Sequence, residues 1–285
     1  MPELPDVEGF RRTLDEAAGQ RIARVAVADP GVLRDVPARR FVRELTGRRL
    51  GRPYRHGKWL VAPTGSPEDS EGPHGSGDSD DSSGGPTLLL HFGMTGGLVR
   101  ADGDEPRHPH DRMVLVLADG SELRYRDQRK LQGLRLGGPE TVGRALDGLG
   151  PDALDVAAGE FTRALAERRG RVKAVLLDQS AVAGLGNLLA DEILWRSHVH
   201  PARPAREVAA DAGARVHGRM RQVLRSSVRV GRVPDRESWL TGHRDEPDPH
   251  CPRCGTPLSS GRVAGRHTVW CPRCQPDSRS EGERG

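Results

Sequence analysis

Long apolar runs, dispersed cysteines and lysines are all scarce in this chain. Hydrophobic residues make up 35% of its 285, and no uninterrupted apolar run approaches the ~20 residues that a membrane-crossing helix needs. No membrane partner is therefore expected. The N-terminus is acidic and amphipathic rather than basic and then apolar, which argues against a secretory signal and for a cytoplasmic protein. All four cysteines fall between Cys251 and Cys274, so a disulfide framework spread over the chain is excluded. Lysine occurs only at Lys58, Lys130 and Lys173, leaving arginine to supply 41 of the 44 basic residues. A compact ammonium and a planar guanidinium do different chemistry, so each retained lysine marks a position of interest.

The formal net charge of +4 understates the basic character. Residues 65–86 carry six acids and no lysine or arginine, and the rest of the chain holds 44 basic against 34 acidic residues, a surplus of +10. Such a surplus suits a nucleic-acid partner without proving one.

Hydrophobic periodicity divides the chain. Val7, Phe10, Leu14 and Ala17 recur at helical spacing after Asp6, which is placed to cap a first helix that Gly19 ends. Short alternating segments follow at 22–27, 48–52, 59–62, 88–91, 98–100, 113–117, 123–125 and 134–136, and their Gly- and Asp-rich turns predict an antiparallel sandwich or barrel. Residues 65–86, rich in Ser, Gly, Asp and Pro, read as a disordered insertion between strands. From about residue 156 the period becomes 3.6. Phe161 and Leu165, then Val172, Val175 and Leu176, predict two short helices, and the glycine turn 183–187 leads into a helix over 188–195. A longer helix carries Val208 to Leu224, and residues 231–249 are polar and irregular. The expected division is a strand-rich domain over 1–138, a linker over 139–155, a helical domain over 156–245, a cysteine-bearing module over 246–276 and a tail over 277–285.

Two places carry chemistry on their own account. Loss of Met1 would leave Pro2 as a free secondary amine, which can attack an electrophilic carbon and form an iminium. An unperturbed α-amino group titrates at about 7.7–8.0, so part of such an amine is neutral near pH 7, and Glu3 stands beside it to shuttle protons. At the other end, Cys251-x2-Cys254-x16-Cys271-x2-Cys274 has the spacing of one closed, structural four-thiolate zinc site. The hairpin between its pairs presents Arg266, and a rigid hairpin is a good platform for a guanidinium that meets phosphate.

Pro2-Glu3-Leu4-Pro5-Asp6, Arg55-His56-Gly57-Lys58, His91-Phe92-Gly93-Met94-Thr95-Gly96, the Lys173 helix, the 183–187 turn and Gly265-Arg266 before the last cysteine pair stand in a fixed order. Together they resemble the formamidopyrimidine-DNA glycosylase / endonuclease VIII family over nearly the whole chain. The resemblance implies an α+β multidomain fold: a two-sheet β-sandwich with an N-terminal helix, a helix–two-turn–helix domain and a C-terminal β-hairpin zinc finger. It implies a bifunctional glycosylase and AP lyase of base-excision repair, expected as a monomer, acting on double-stranded DNA that contains damaged bases or abasic sites.

By the same resemblance Pro2 would be the nucleophile on C1′, Glu3 the acid/base, and Lys58 and Arg266 phosphate-contacting parts of the catalytic set. Asn187, Met94, Arg129, Leu131, His91 and Lys173 would contact DNA, with Met94 and Arg129 filling the space of an extruded base. The chain departs from the family pattern at Leu131, where an aromatic residue is frequent, at Leu189, where tyrosine is common, and at 226–239, shorter than the lesion-capping loop of the purine-specific branch. Two other readings follow: a zinc protein that binds damaged DNA without catalysis, against which the joint presence of Pro2, Glu3 and Lys58 argues, and the same chemistry on bulky lesions.

Overall fold

The computed structural model describes residues 1–66 and 84–277; most of the expected insertion, 67–83, and the tail from 278 lie outside the described residues. The chain forms two compact units. One holds Met1–Pro2 and Val7–Asp147, the other Glu3–Asp6 and the residues from Gly148 onward.

The first unit takes most of helix α1 (Leu4–Asp15), then β1 (Ile22–Val27), α2 (Ala38–Leu45), β2 (Arg49–Leu50), β3 (Tyr54–His56), β4 (Trp59–Ala62), β5 (Thr64–Gly65), β6 (Thr87–His91), β7 (Gly97–Ala101), β8 (Asp111–Leu117), β9 (Glu122–Arg126), β10 (Gly133–Gly137) and α3 (Pro139–Leu146). Two four-stranded antiparallel sheets result, in the orders β1-β8-β9-β7 and β10-β6-β4-β3. Alternation explains their inner faces. Met113, Leu115 and Leu117 of β8 and Leu123 and Tyr125 of β9 share one core with Leu60, Ala62, Leu88, Leu90, Leu134 and Leu136 of the other sheet. The sheets therefore face each other as a sandwich, which Val7 and Leu14 of α1 also enter.

The second unit contains α4 (Ala158–Glu167), α5 (Val172–Leu177), α6 (Asn187–Arg196), α7 (Ala205–Val230) and a hairpin of β11 (Ser259–Val263) and β12 (Arg266–Trp270). Phe161, Leu165, Val175, Leu176, Ile193, Val216 and Met220 lie in its main core, which also takes Leu4 from the first turn of α1. α5, the turns after it and α6 make the helix–two-turn–helix element. A smaller core of Trp195, Leu240, Cys251, Val269 and Cys271 joins the hairpin to α6.

Several local expectations change. Helix α1 begins at Leu4, so Asp6 is inside its first turn; its carboxylate accepts the Glu3 N–H at 2.8 Å, closing the turn backwards instead of capping it from in front. The helix ends at Asp15, four residues before Gly19. The 48–52 segment contracts to the two residues of β2, which pair with β5. Helix α2 had too few apolar residues to announce itself, only Phe41 and Leu45 being buried. α3 occupies the start of the expected linker and buries no residue of its own. Ser226–Val230, read as part of a loop, are the last turn of α7, so only residues 231–239 separate that helix from the 3-10 turn Leu240–Gly242.

A buried ionic cluster braces the hairpin. Lys173 of α5 and Asp191 of α6 form an ion pair of 2.6 Å with both side chains sealed from solvent, and Arg244 reaches the other oxygen of Asp191 at 2.9 Å. The Lys173 ammonium donates to the Thr268 hydroxyl at 2.8 Å and the His267 carbonyl at 3.1 Å, while Arg244 meets the His267 ring at 3.2 Å. Burial pushes Lys173 down and Asp191 up, and their mutual attraction opposes both shifts. Removing the shared anion would leave two cations facing each other in the interior. Asp191→Ala is expected to cost about 3–5 kcal/mol, read as an earlier transition in urea titration, whereas exposed Asp245→Ala should change little.

Candidate functional site

The glycine turn after α5 is shaped around Glu3. Its carboxylate, 1% exposed as a residue, accepts the Leu188 N–H at 2.8 Å on one oxygen and the Leu189 N–H at 3.1 Å on the other. These are free amides of the first turn of α6, where the helix dipole favours negative charge. Leu4 is held next to it, its N–H donating to the Gly184 carbonyl at 3.0 Å. Both glycines are required by contact. A Cβ on Gly186 would collide with the Glu3 carboxylate, and one on Gly184, at φ +112, would come within 2.5 Å of the Leu4 side chain. Asn187 opens α6, and its side-chain Oδ1 is buried with no hydrogen-bond partner among the described residues. Pro2, half-buried, is the chain neighbour of this seated acid.

In the first unit, Lys58 occupies the two-residue turn between β3 and β4, behind Gly57 at φ +57, the sign that the first place of a type II′ hairpin turn demands. His91 ends β6. Its Nδ1 accepts the Gly93 N–H at 3.1 Å, and its ring meets the Trp59 ring edge-on at 4.8 Å. Burial, and then the nearby Lys58 and Arg135 charges, push His91 down to about 4. The ring is thus neutral near pH 7, and with Nδ1 accepting, its proton sits on Nε2.

Met94, Arg129 and Leu131 come together on two loops. Thr95 Oγ1 donates to Asp127 Oδ1 at 2.7 Å, and both oxygens receive the Arg129 N–H at 3.1 Å. The Arg129 guanidinium reaches Met94 Sδ at 3.2 Å. Met94 is 37% and Leu131 49% exposed, so both apolar side chains stand out to solvent.

Lys173 corrects an expectation. A side chain sealed from solvent between Asp191 and the hairpin has no atom to offer a phosphate, so its work is to hold β12. Arg266 is the first residue of β12, exposed, directly after the turn Ala264-Gly265, both with positive φ. Sequence reasoning missed Arg244, which lies in a polar stretch with no periodic signal, and Asp127, whose role needs Thr95 from a distant strand end.

The four cysteine sulfurs lie within 4.8 Å of one another, with Sγ–Sγ distances of 3.9, 3.6 and 3.5 Å for 251–274, 254–271 and 254–274. A tetrahedron of Zn–S bonds of about 2.3 Å has edges of roughly 3.8 Å, so the donors fit one structural zinc ion. The Trp195 indole N–H points at Cys251 Sγ at 3.4 Å and the Cys274 N–H at Cys271 Sγ at 3.3 Å, contacts that suit sulfur carrying negative charge.

The His91 shift has a measurable consequence. The unfolded ring, titrating near 6.5, takes up a proton that the folded ring refuses until about pH 4. Its contribution is complete above pH 6.5 and is lost as the pH falls towards 4. His91→Gln should flatten the decline of stability in that window, as followed by urea unfolding at stepped pH.

Comparison with known proteins agrees with this geometry. Family profiles match for the formamidopyrimidine-DNA glycosylase N-terminal domain over residues 1–134, the formamidopyrimidine-DNA glycosylase H2TH domain over 148–236 and the zinc finger found in FPG and IleRS over 250–276. The formamidopyrimidine-DNA glycosylase of Symbiobacterium thermophilum is 38% identical, the alignment covering 97% of this chain and 90% of the relative. That of Salinispora arenicola is 36% identical, with 98% of each covered. Among solved structures, Lactococcus lactis FPG (MutM) with FAPY-dG containing DNA superposes with a TM-score of 0.81 at 27% identity, over 96% of this chain and all of that one. The Lactococcus lactis Fpg complex with abasic-site DNA gives 0.79 at 27% identity, over 96% and 100%. Identity of this order along the whole length, across all three profiles, places the chain in the formamidopyrimidine-DNA glycosylase family.

Proposed function

We propose that the chain is a bifunctional DNA glycosylase and AP lyase of base-excision repair, acting in the cytoplasm on duplex DNA with oxidised bases or abasic sites. The observation that carries this reading is the seating of Glu3 on the first amides of α6. It fixes an acid/base group one peptide bond from the residue that becomes the amino terminus when Met1 is removed.

The chemistry follows from an amine and a carboxyl group so joined. The Pro2 nitrogen attacks C1′ of a flipped nucleotide, forming an N–C1′ bond as the C1′–base bond breaks and the base leaves with a proton. Glu3 takes the proton that the Pro2 nitrogen gives up on bonding to C1′ and passes it to O4′ as the sugar ring opens, and the freed nitrogen lone pair makes the iminium. The iminium acidifies C2′. Loss of that proton expels the 3′ phosphate, and a further proton loss at C4′ can expel the 5′ phosphate. Water then hydrolyses the iminium and frees Pro2. Lys58, Asn187 and Arg266 would grip phosphates around the lesion, His91 would offer its Nε2–H, and Met94, Arg129 and Leu131 would occupy the emptied stack. Cys251, Cys254, Cys271 and Cys274 would hold a zinc ion that braces the Arg266 hairpin in shape.

The test is borohydride trapping on duplexes carrying 8-oxoguanine, a formamidopyrimidine, an oxidised pyrimidine or an abasic site. A covalent complex on at least one, lost in Pro2→Gly, is expected; no complex on any of them, the abasic duplex included, would overturn the lyase reading. Glu3→Gln should slow excision about 10²–10⁴-fold with DNA affinity retained, and normal excision would reassign the acid. Stripping the zinc should weaken DNA binding as much as Arg266→Ala does, and unchanged affinity after verified metal loss would break that link.

A further inference from the structure

The function described so far leaves Lys130 without a task. It sits between Arg129 and Leu131 in a left-handed backbone conformation, φ +51, which a residue with a Cβ seldom adopts. Its neighbours' side chains are exposed, yet Lys130 turns the other way. Its Nζ lies 2.7 Å from Asp29 Oδ2, on the segment that precedes the 3-10 turn Pro30–Val32, and its ammonium holds the Asp29 carboxyl below the ordinary range.

The contact is one part of a closed truss. Asp29 Oδ1 accepts the Gly31 N–H at 2.9 Å, which aims its other oxygen at Lys130. Arg112 stands 3.5 Å from Asp29 Oδ2 and donates to the Asp127 carbonyl at 2.8 Å, where the loop begins. Arg34 donates to the Lys130 carbonyl at 2.7 Å and to the Gly31 carbonyl at 2.8 Å. At the far end Gly133, φ +147, passes so close to the Val32 carbonyl that a Cβ there would collide with it. Segment 29–34 therefore grips the loop at its start, middle and end. An isolated, half-exposed ion pair contributes little, but one that closes such a ring selects a single loop shape. The Lys130 ammonium lies over Gly31, where an added Cβ would stand at an ordinary contact distance of 3.6 Å from Nζ.

We propose that Lys130 and Asp29 are a positioning pair that presents Arg129 and Leu131 in the shape that fills the stack, and that Lys130 is not a phosphate contact. The inference rests on the stack-filling role given above to Arg129. It is tested with a duplex that places 2-aminopurine opposite an abasic analogue, whose fluorescence reports insertion of the loop. Two variants break the tether: Lys130→Asn, which tolerates the left-handed backbone but cannot reach, and Asp29→Ser, which keeps a cap for the 3-10 turn without the anion. Both should lower the insertion signal and duplex turnover about three- to tenfold, the scale of coupling between neighbouring residues. Both should retain lyase activity on single-stranded abasic DNA, which has no opposite base to displace. Lys130→Arg should restore the signal. The salt dependence of binding should stay as in the wild type, since no phosphate contact is removed.

A fall in the salt slope of about 0.9 in Lys130→Asn, with Asp29→Ser binding as tightly as wild type or tighter, would make Lys130 a phosphate contact and overturn the proposal. Arg129→Ala separates the two levels. If it leaves the signal intact, the stack-filling reading fails; if it abolishes the signal while both tether variants keep it, the positioning pair fails.

Discussion

The chemistry proposed for this protein depends on a carboxylate held across the first free amides of a helix. Glu3 is an acid in an almost sealed site, and a buried charge without partners is untenable. Two charge-assisted hydrogen bonds from α6 meet it, each of a kind that contributes about 1.5–3 kcal/mol. The same geometry dictates its surroundings: Gly184 and Gly186 are glycines because Leu4 and Glu3 occupy the space of their side chains. Local backbone conformation, core packing through Leu4 and the placement of Glu3 are thus one constraint. The acid is fixed by the fold before any substrate arrives, which is the preorganisation that proton transfer benefits from.

The three lysines illustrate how one residue type serves distinct tasks when arginine is the default cation. Lys58 rides on a tight strand turn. Lys130 points into a truss that shapes an exposed loop. Lys173 is sealed among Asp191, the Thr268 hydroxyl and the His267 carbonyl. In the last case a single nitrogen with three donors satisfies three acceptors in different directions, which a planar guanidinium fork does less well. That cluster and the four-thiolate site act on the same small hairpin from its two sides in the sequence, and Arg266 is the exposed result.

Some of this was legible before any fold was known. Most sandwich strands were readable, though not β3 or β5, because short alternating or wholly apolar segments stand between turn-rich stretches, and α4 to α7 because apolar residues recur at 3.6. The cysteine spacing carried the metal site because two knuckles close a tetrahedron almost regardless of context. Helices α2 and α3 were not legible, since the first buries only Phe41 and Leu45 and the second buries nothing of its own. Lys173 was misread because a lone lysine on a short amphipathic helix looks like surface; its partners come from residues 191, 244 and 267–268, which nothing local announces. Asp6 was read as a cap because an acid ahead of an apolar pattern usually is one, whereas here Glu3 holds that place and Asp6 returns its hydrogen bond.

The amino-acid sequence by itself determined the reactive inventory: a proline with an acid beside it, four cysteines at zinc spacing, and three lysines kept against an arginine background. Those follow from residue chemistry and short-range spacing, which need no tertiary context. Only the tertiary structure decided what each group faces. It seated Glu3 on α6, buried Lys173 under the hairpin, turned Lys130 toward Asp29 and left Met94, Arg129 and Leu131 exposed together. The physical reason is that charge and hydrogen bonding act over a few ångströms, and the residues that meet at those distances stand up to 186 positions apart in the chain.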